Sequence, residues 1–194
     1  MPRYVAFLRA LNVSGRVLRM DELRKIFVSA GFADVESFLA SGNVVFSSKG
    51  TKGLDPGIEA RLAKVLSASL SFEVPVFVRT VEELALIAAH RPFPERAVAA
   101  APTFLVGFLS KTLDAEHVAR LSELESAEDR FHARGRDFWW LSRHRQSDPA
   151  ITGRALEKAL GQPTTLRGIN TILRMAARFR PRLRQRRAAL TGRI

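Results

Sequence analysis

At 194 residues the chain has room for one large domain or two small ones, and with no cysteine it excludes disulfides, thiolate metal sites and thiol nucleophiles. The formal net charge of +12 is unevenly placed: from residue 158 onward there are ten basic residues and no acidic one, while residues 1–157 carry 21 basic and 19 acidic groups, so the high pI belongs to the C-terminal end. The apolar stretch 4–8 is too short for a secretion signal, and the longest apolar run, 97–109, is broken by Pro102, Thr103 and Gly107, so a cytoplasmic protein with no membrane span is expected.

Residues 3–11 read as a first strand, apolar on both faces, followed by a loop over 12–16. A helix follows over 21–30, with Leu23, Ile26 and Phe27 spaced for one face and Gly31 where a left-handed cap is wanted. Strands over 35–39 and 44–47 are joined across Ala40-Ser41-Gly42-Asn43, a hairpin signal. Asp55-Pro56 opens a second helix that is expected to bury Ile58, Leu62, Val65, Leu66 and Leu70, and residues 74–79 form the closing strand. Thr80-Val81-Glu82-Glu83 is a capping box, which starts a connecting helix ending near His90. Arg91-Pro92-Phe93-Pro94 stops that helix, and the stretch to Pro102 reads as a linker. The pattern then recurs: a strand at 103–109, a helix at 114–124, strands at 130–133 and 137–141 around Arg134-Gly135-Arg136, a helix at 152–160 ending at Gly161, and a strand at 164–166. A last helix spans 170–179, ahead of the basic tail.

A βαββαβ rhythm that runs through twice predicts an α+β protein of two ferredoxin-like modules, because a split βαβ unit with an inserted hairpin strand buries both helices on one sheet face. The boundaries are 1–79 for the first module, 80–102 for the connecting helix and linker, 103–168 for the second module and 169–194 for the last helix and tail. Several strands are apolar on both faces: Trp139 and Trp140 must point opposite ways, as must Phe77 and its neighbours Val76 and Val78. Helices cover one face, so the partner module or a flanking helix must cover the other, giving a joint core.

In a ferredoxin-like sheet the third strand lies antiparallel beside the first. The end of strand one and the start of strand three then share an edge, which gathers Arg9, Asn12 and Ser14 near Ser41, Gly42 and Asn43. Amides, hydroxyls, a cation and permissive backbone suit a small polar or anionic ligand. The same residue types also serve as ordinary turn formers, with Asn12 and Asn43 bonding the turn backbone.

The strings RYVAFLRALNVSG, GFADVESFLASGNVVFSS, VPVFVRTVEEL and RPFP resemble the uncharacterised bacterial family known as domain of unknown function (DUF) 1697, over roughly residues 3–178. The resemblance implies a pair of ferredoxin-like domains and brings no activity, cofactor or catalytic residue. The chain departs from the family pattern where RALNVSG replaces a more glycine-rich loop, and where Arg167-Gly168-Ile169-Asn170-Thr171 lacks a tryptophan common there.

No catalytic constellation emerges. Glycine-rich phosphate loops and the GxSxG elbow are missing, and the four histidines His90, His117, His132 and His144 lack metal-ligand spacing, although His132 and His144 could approach one another. Glu123, Glu125, Glu128 and Asp129 form an acidic cluster that solvates a helix end or, alternatively, holds a divalent ion. No cofactor or metal is expected, and Phe46 reads as core rather than as an RNA-stacking residue. The leading function is a non-catalytic binding or regulatory protein for a small polar or anionic ligand. An alternative is non-specific nucleic-acid association through Arg178, Arg180, Arg182, Arg184, Arg186 and Arg187 of the tail. An enzyme of unrecognised type is the third reading, and the oligomeric state stays open.

Overall fold

A computed structural model describes residues 1–9, 18–39, 42–49 and 57–180. The first half contains β1 (Arg3–Leu8), α1 (Met20–Ser29), β2 (Ala33–Ser37), β3 (Asn43–Ser47), α2 (Ile58–Leu70), β4 (Val76–Thr80) and α3 (Val81–Ala89). A short helix α4 (Glu95–Ala99) leads to the second half: β5 (Thr103–Phe108), α5 (Ala115–Ser122), β6 (Asp129–Arg134), β7 (Asp137–Ser142), α6 (Gly153–Leu160), β8 (Thr165–Gly168) and α7 (Ile169–Arg178). The architecture is α+β, with two four-stranded antiparallel sheets in the orders β2-β3-β1-β4 and β6-β7-β5-β8.

The elements follow local chemistry. α1 buries Leu23 and Phe27, and Gly31 behind it takes the left-handed φ of +85° expected of a helix terminator. The capping box at α3 is present in both directions: Thr80 Oγ1 accepts from the Glu83 amide at 3.0 Å, and a Glu83 carboxylate oxygen accepts from the Thr80 amide at 2.7 Å. α6 is capped by Thr152 and ends on Gly161 at φ +63°.

Some boundaries differ from the sequence expectation. β2 begins two residues early and stops at Ser37, since Leu39 adopts a left-handed φ of +58° that no strand continues. Val65 and Leu70 are only partly buried, because the face of α2 that meets the sheet carries Ile58, Leu62 and Leu66. The stretch expected as a linker contains α4, which starts directly after Pro94, where proline leaves the first helical turn undisturbed.

Three apolar clusters stack through the molecule. α1 and α2 cover one face of the first sheet with Leu23, Phe27, Leu62 and Leu66 against Tyr4, Phe46 and Val78. α5 and α6 cover one face of the second, around Phe138, Trp140 and Leu156. Between them the two remaining sheet faces meet, joined by α3 and α7. The alternation foreseen in the strands sorts as required: Trp139 and Phe77 enter the middle cluster, while Trp140, Val76 and Val78 enter the outer ones. At the centre Phe7 and Phe108 stack with ring centroids 3.8 Å apart and planes 11° from parallel. Neither half could expose this surface without leaving a large apolar face in water. No helix among the described residues is long and apolar enough to cross a membrane.

Candidate functional site

The strand registers align one half with the other. Phe7 pairs with Asn43 and Phe77, Phe108 pairs with Asp137 and Thr165, Val5 pairs with Arg79, and Val106 pairs with Arg167. Asn43 and Asp137 are therefore equivalent positions, each opening the third strand of its half, as are Arg79 and Arg167 on the fourth strands. Each sheet presents one edge where its first strand ends and its central hairpin turns.

Each edge receives a buried guanidinium from the other half. Arg167 crosses to the first: its Nε donates to Asn43 Oδ1 at 2.6 Å and its Nη2 to the Leu8 carbonyl at 2.8 Å. Arg79 crosses to the second: its Nε donates to Asp137 Oδ1 at 2.9 Å, and its Nη2 to the Leu109 and Arg136 carbonyls at 3.0 and 2.6 Å. In both cases Nη1 donates to the carbonyl of the preceding residue, Leu166 or Val78. Each cation also lies over the central ring of the half that it enters, Arg167 over Phe7 and Arg79 over Phe108. These two arginines were not singled out in the sequence. The signal available was weak, an arginine in an otherwise apolar strand, and the contacts span more than 100 residues for Arg167.

The electrostatics of the two edges differ. Burial lowers the Arg167 pKa to about 10, and it meets a neutral amide at Asn43. At the second edge, burial lowers Arg79 and raises Asp137, each partly offset by the other's charge, and Glu59 stands 3.8 Å from Arg79.

Of the residues expected at the first edge, three are described. Arg9 forms an ion pair with Glu157 of α6, in the other half, and donates its amide to the Pro75 carbonyl. The Gly42 carbonyl accepts from the Leu8 amide at 2.8 Å, and Gly42 takes a φ of +70°. Asn43 is fully buried, its Nδ2 donating to the Phe38 carbonyl at 3.1 Å as its Oδ1 takes Arg167. Asn12, Ser14 and Ser41 lie outside the described residues.

The remaining expectations resolve separately. In the tail, Arg178 donates to Glu36 at 2.9 Å and lies over Phe179, which itself packs on Phe38. Arg180 is the last described residue, and Arg182, Arg184, Arg186 and Arg187 lie beyond the described part. His132 does not meet His144. Its ring lies against that of His90, with centroids 5.0 Å apart and planes tilted by 39°, whereas His144 Nε2 lies 3.9 Å from Asp129. Asp129 is buried and accepts the Trp140 indole N–H at 2.8 Å, and Glu125 accepts the Phe131 amide, so these two acidic residues hold the β6 strand in place. Among the described residues no group of three potential metal ligands forms.

The fold has a solved counterpart. The conserved bacterial protein SP0830 from Streptococcus pneumoniae is 21% identical and superposes with a TM-score of 0.65, over 92% of this chain and 98% of its own. At that identity the likeness speaks for the fold alone. Among curated proteins there is no match. The family model described as protein of unknown function (DUF1697) matches residues 1–139, well over half the chain, and with the two-sheet fold beneath it the chain belongs to that family.

Proposed function

We propose that the protein is a non-catalytic binding or regulatory protein for a small polar or anionic ligand, and that the ligand lodges at the first edge, with Arg9, Asn12, Ser14, Ser41, Gly42 and Asn43 around it. The observation carrying this reading is Arg167. It is a desolvated guanidinium supplied by the opposite half at the base of the edge, where a nearby negative charge is stabilised without stripping further water from the cation. Arg9 at the rim is half-exposed and can exchange Glu157 for an incoming anion at small cost, since ion pairs of that exposure contribute little.

The architecture behind the site is read as two ferredoxin-like modules, 1–79 and 103–168, with 80–102 connecting them and 169–194 trailing. The strand orders β2-β3-β1-β4 and β6-β7-β5-β8 support it, as does the paired-helix cover on one face of each sheet.

A thermal-shift screen of the full chain against inorganic phosphate, nucleotides and small carboxylates tests the function, because a ligand selective for the folded state raises the melting temperature. A hit that raises the Tm of the parent and loses most of that shift in Arg9→Gln supports the first edge. A screen without hits, or a shift of equal size in Arg9→Gln, overturns it.

A further inference from the structure

The second edge opens into a cavity of about 350 Å³ between α3 of the first half and the β6–β7 hairpin of the second. Its charges are mostly settled internally. Arg79 is paired with Asp137, and Arg136 lies 3.1 Å from Glu59 and 3.8 Å from Glu83. Arg134 is different. It is exposed on the hairpin, has no carboxylate within 4 Å among the described residues, and its Nη1 stands 3.5 Å from His90 Nδ1. Among the described residues lining the cavity, Arg134 is therefore a cation that no carboxylate contacts.

Behind its floor lies an unmet polar group, sealed from solvent. Trp139 lines the cavity and is 2% exposed, yet its indole N–H has no acceptor among the described residues. The ring of His90, 4.5 Å from that of Trp139, likewise buries an Nε2 with no partner there. Three buried side-chain nitrogens among the described residues lack partners, and two of them meet at this place. A buried donor without an acceptor costs free energy, so natural structures keep few of them. On the other side Leu86, which is 67% exposed on α3, and Ile87 present apolar surface.

We infer that this cavity is a second binding site, independent of the first edge, for a small organic monoanion with an apolar body: its carboxylate on Arg134, its body between Leu86 and Trp139. A multiply charged phosphate suits it poorly, because Glu83 and Asp137 line the same walls as Arg134. The volume, at the low end of small-molecule pockets, fits a compact ring acid.

Benzoate is the probe. The ¹⁵N-labelled full chain is titrated with benzoate, with benzamide and inorganic phosphate as controls, and the indole N–H resonance assigned through Trp139→Phe is followed. Benzoate moves that resonance to saturation, benzamide binds about ten-fold more weakly, phosphate does not displace benzoate, and Arg134→Gln weakens benzoate about ten-fold, the usual scale for losing a charge-assisted contact. Arg134 is exposed, so its replacement leaves the fold intact. A resonance that stays put, equal binding of benzoate and benzamide, displacement by phosphate, or unchanged affinity in Arg134→Gln would each overturn the inference. The first edge is judged through Arg9→Gln and its own thermal shift, so either reading can fail alone.

Discussion

The two halves solve the same packing problem with different chemistry. At the first edge a buried arginine meets a neutral asparagine, and at the second its counterpart meets an aspartate. Where the last helix of each half returns to the other, Arg178 is ion-paired with Glu36 in one, while the His90 ring meets that of His132 at a tilt in the other. In the strand cores Ala6 faces Val44, but Gly107 faces Phe138. The backbone geometry is shared, and side-chain volume and charge are traded within each pair. Compensation of this kind is what close packing demands, since a change in one member is felt by its neighbour.

The largest effect should separate the arginines. Arg79→Met leaves a buried carboxylate, Asp137, and two carbonyls without their donor, and should cost about 3–5 kcal/mol. Arg167→Met strands neutral acceptors, the Asn43 amide and the Leu8 carbonyl among them, and should cost about 1–3 kcal/mol. Urea unfolding measures both, and equal losses would mean that the carboxylate does not distinguish the edges. Next comes the volume swap. A Cβ at Gly107 would lie 2.1 Å from the Phe138 ring, so Gly107→Ala should destabilise by about 1–3 kcal/mol, and adding Phe138→Val, which recreates the pair of the first half, should recover part of it.

A third expectation concerns caps. Thr80→Ala removes the capping box of α3 and should cost about 1 kcal/mol in thermal unfolding. The equivalent helix α7 starts on Gly168 with no side-chain cap, so Gly168→Ser should add a few tenths of a kcal/mol at most. The smallest effect is the pH response. Burial first, then His132, Arg134 and Arg91, hold the His90 imidazole below its usual range. A histidine held low is neutral in the fold and takes its proton more readily when unfolded. Its stabilising contribution is therefore complete above about pH 6.5 and declines as the pH falls through that value toward the lowered one. Stability compared at about pH 7.5 and 5 should fall less in His90→Phe, which keeps the ring against Trp139 and cannot titrate, than in the parent. At the equivalent place Arg178→Gln breaks the pair with Glu36 but leaves His90 and its neighbours untouched, and should leave the same difference unchanged.

Much of this was legible in the chain. Helix faces, the Thr80–Glu83 box, both hairpins, the doubled order of elements and the opposite directions of Trp139 and Trp140 follow from spacings of two and of three to four residues, which local backbone geometry enforces. The position of Asn43 beside the end of strand one followed from antiparallel pairing of strands one and three, which sets it opposite Phe7. Spacing has nothing to say about which side chains meet across the join. The crossing of Arg79 and Arg167, the stacking of Phe7 on Phe108, the meeting of His90 with His132 rather than of His132 with His144, and the cavity beneath Arg134 all depend on how two sheets dock. That docking is set by the fit of whole faces. It was decided by tertiary structure alone, because apolar burial is non-directional and leaves the register of one face on another to side-chain shape and to the few buried charges that must find partners.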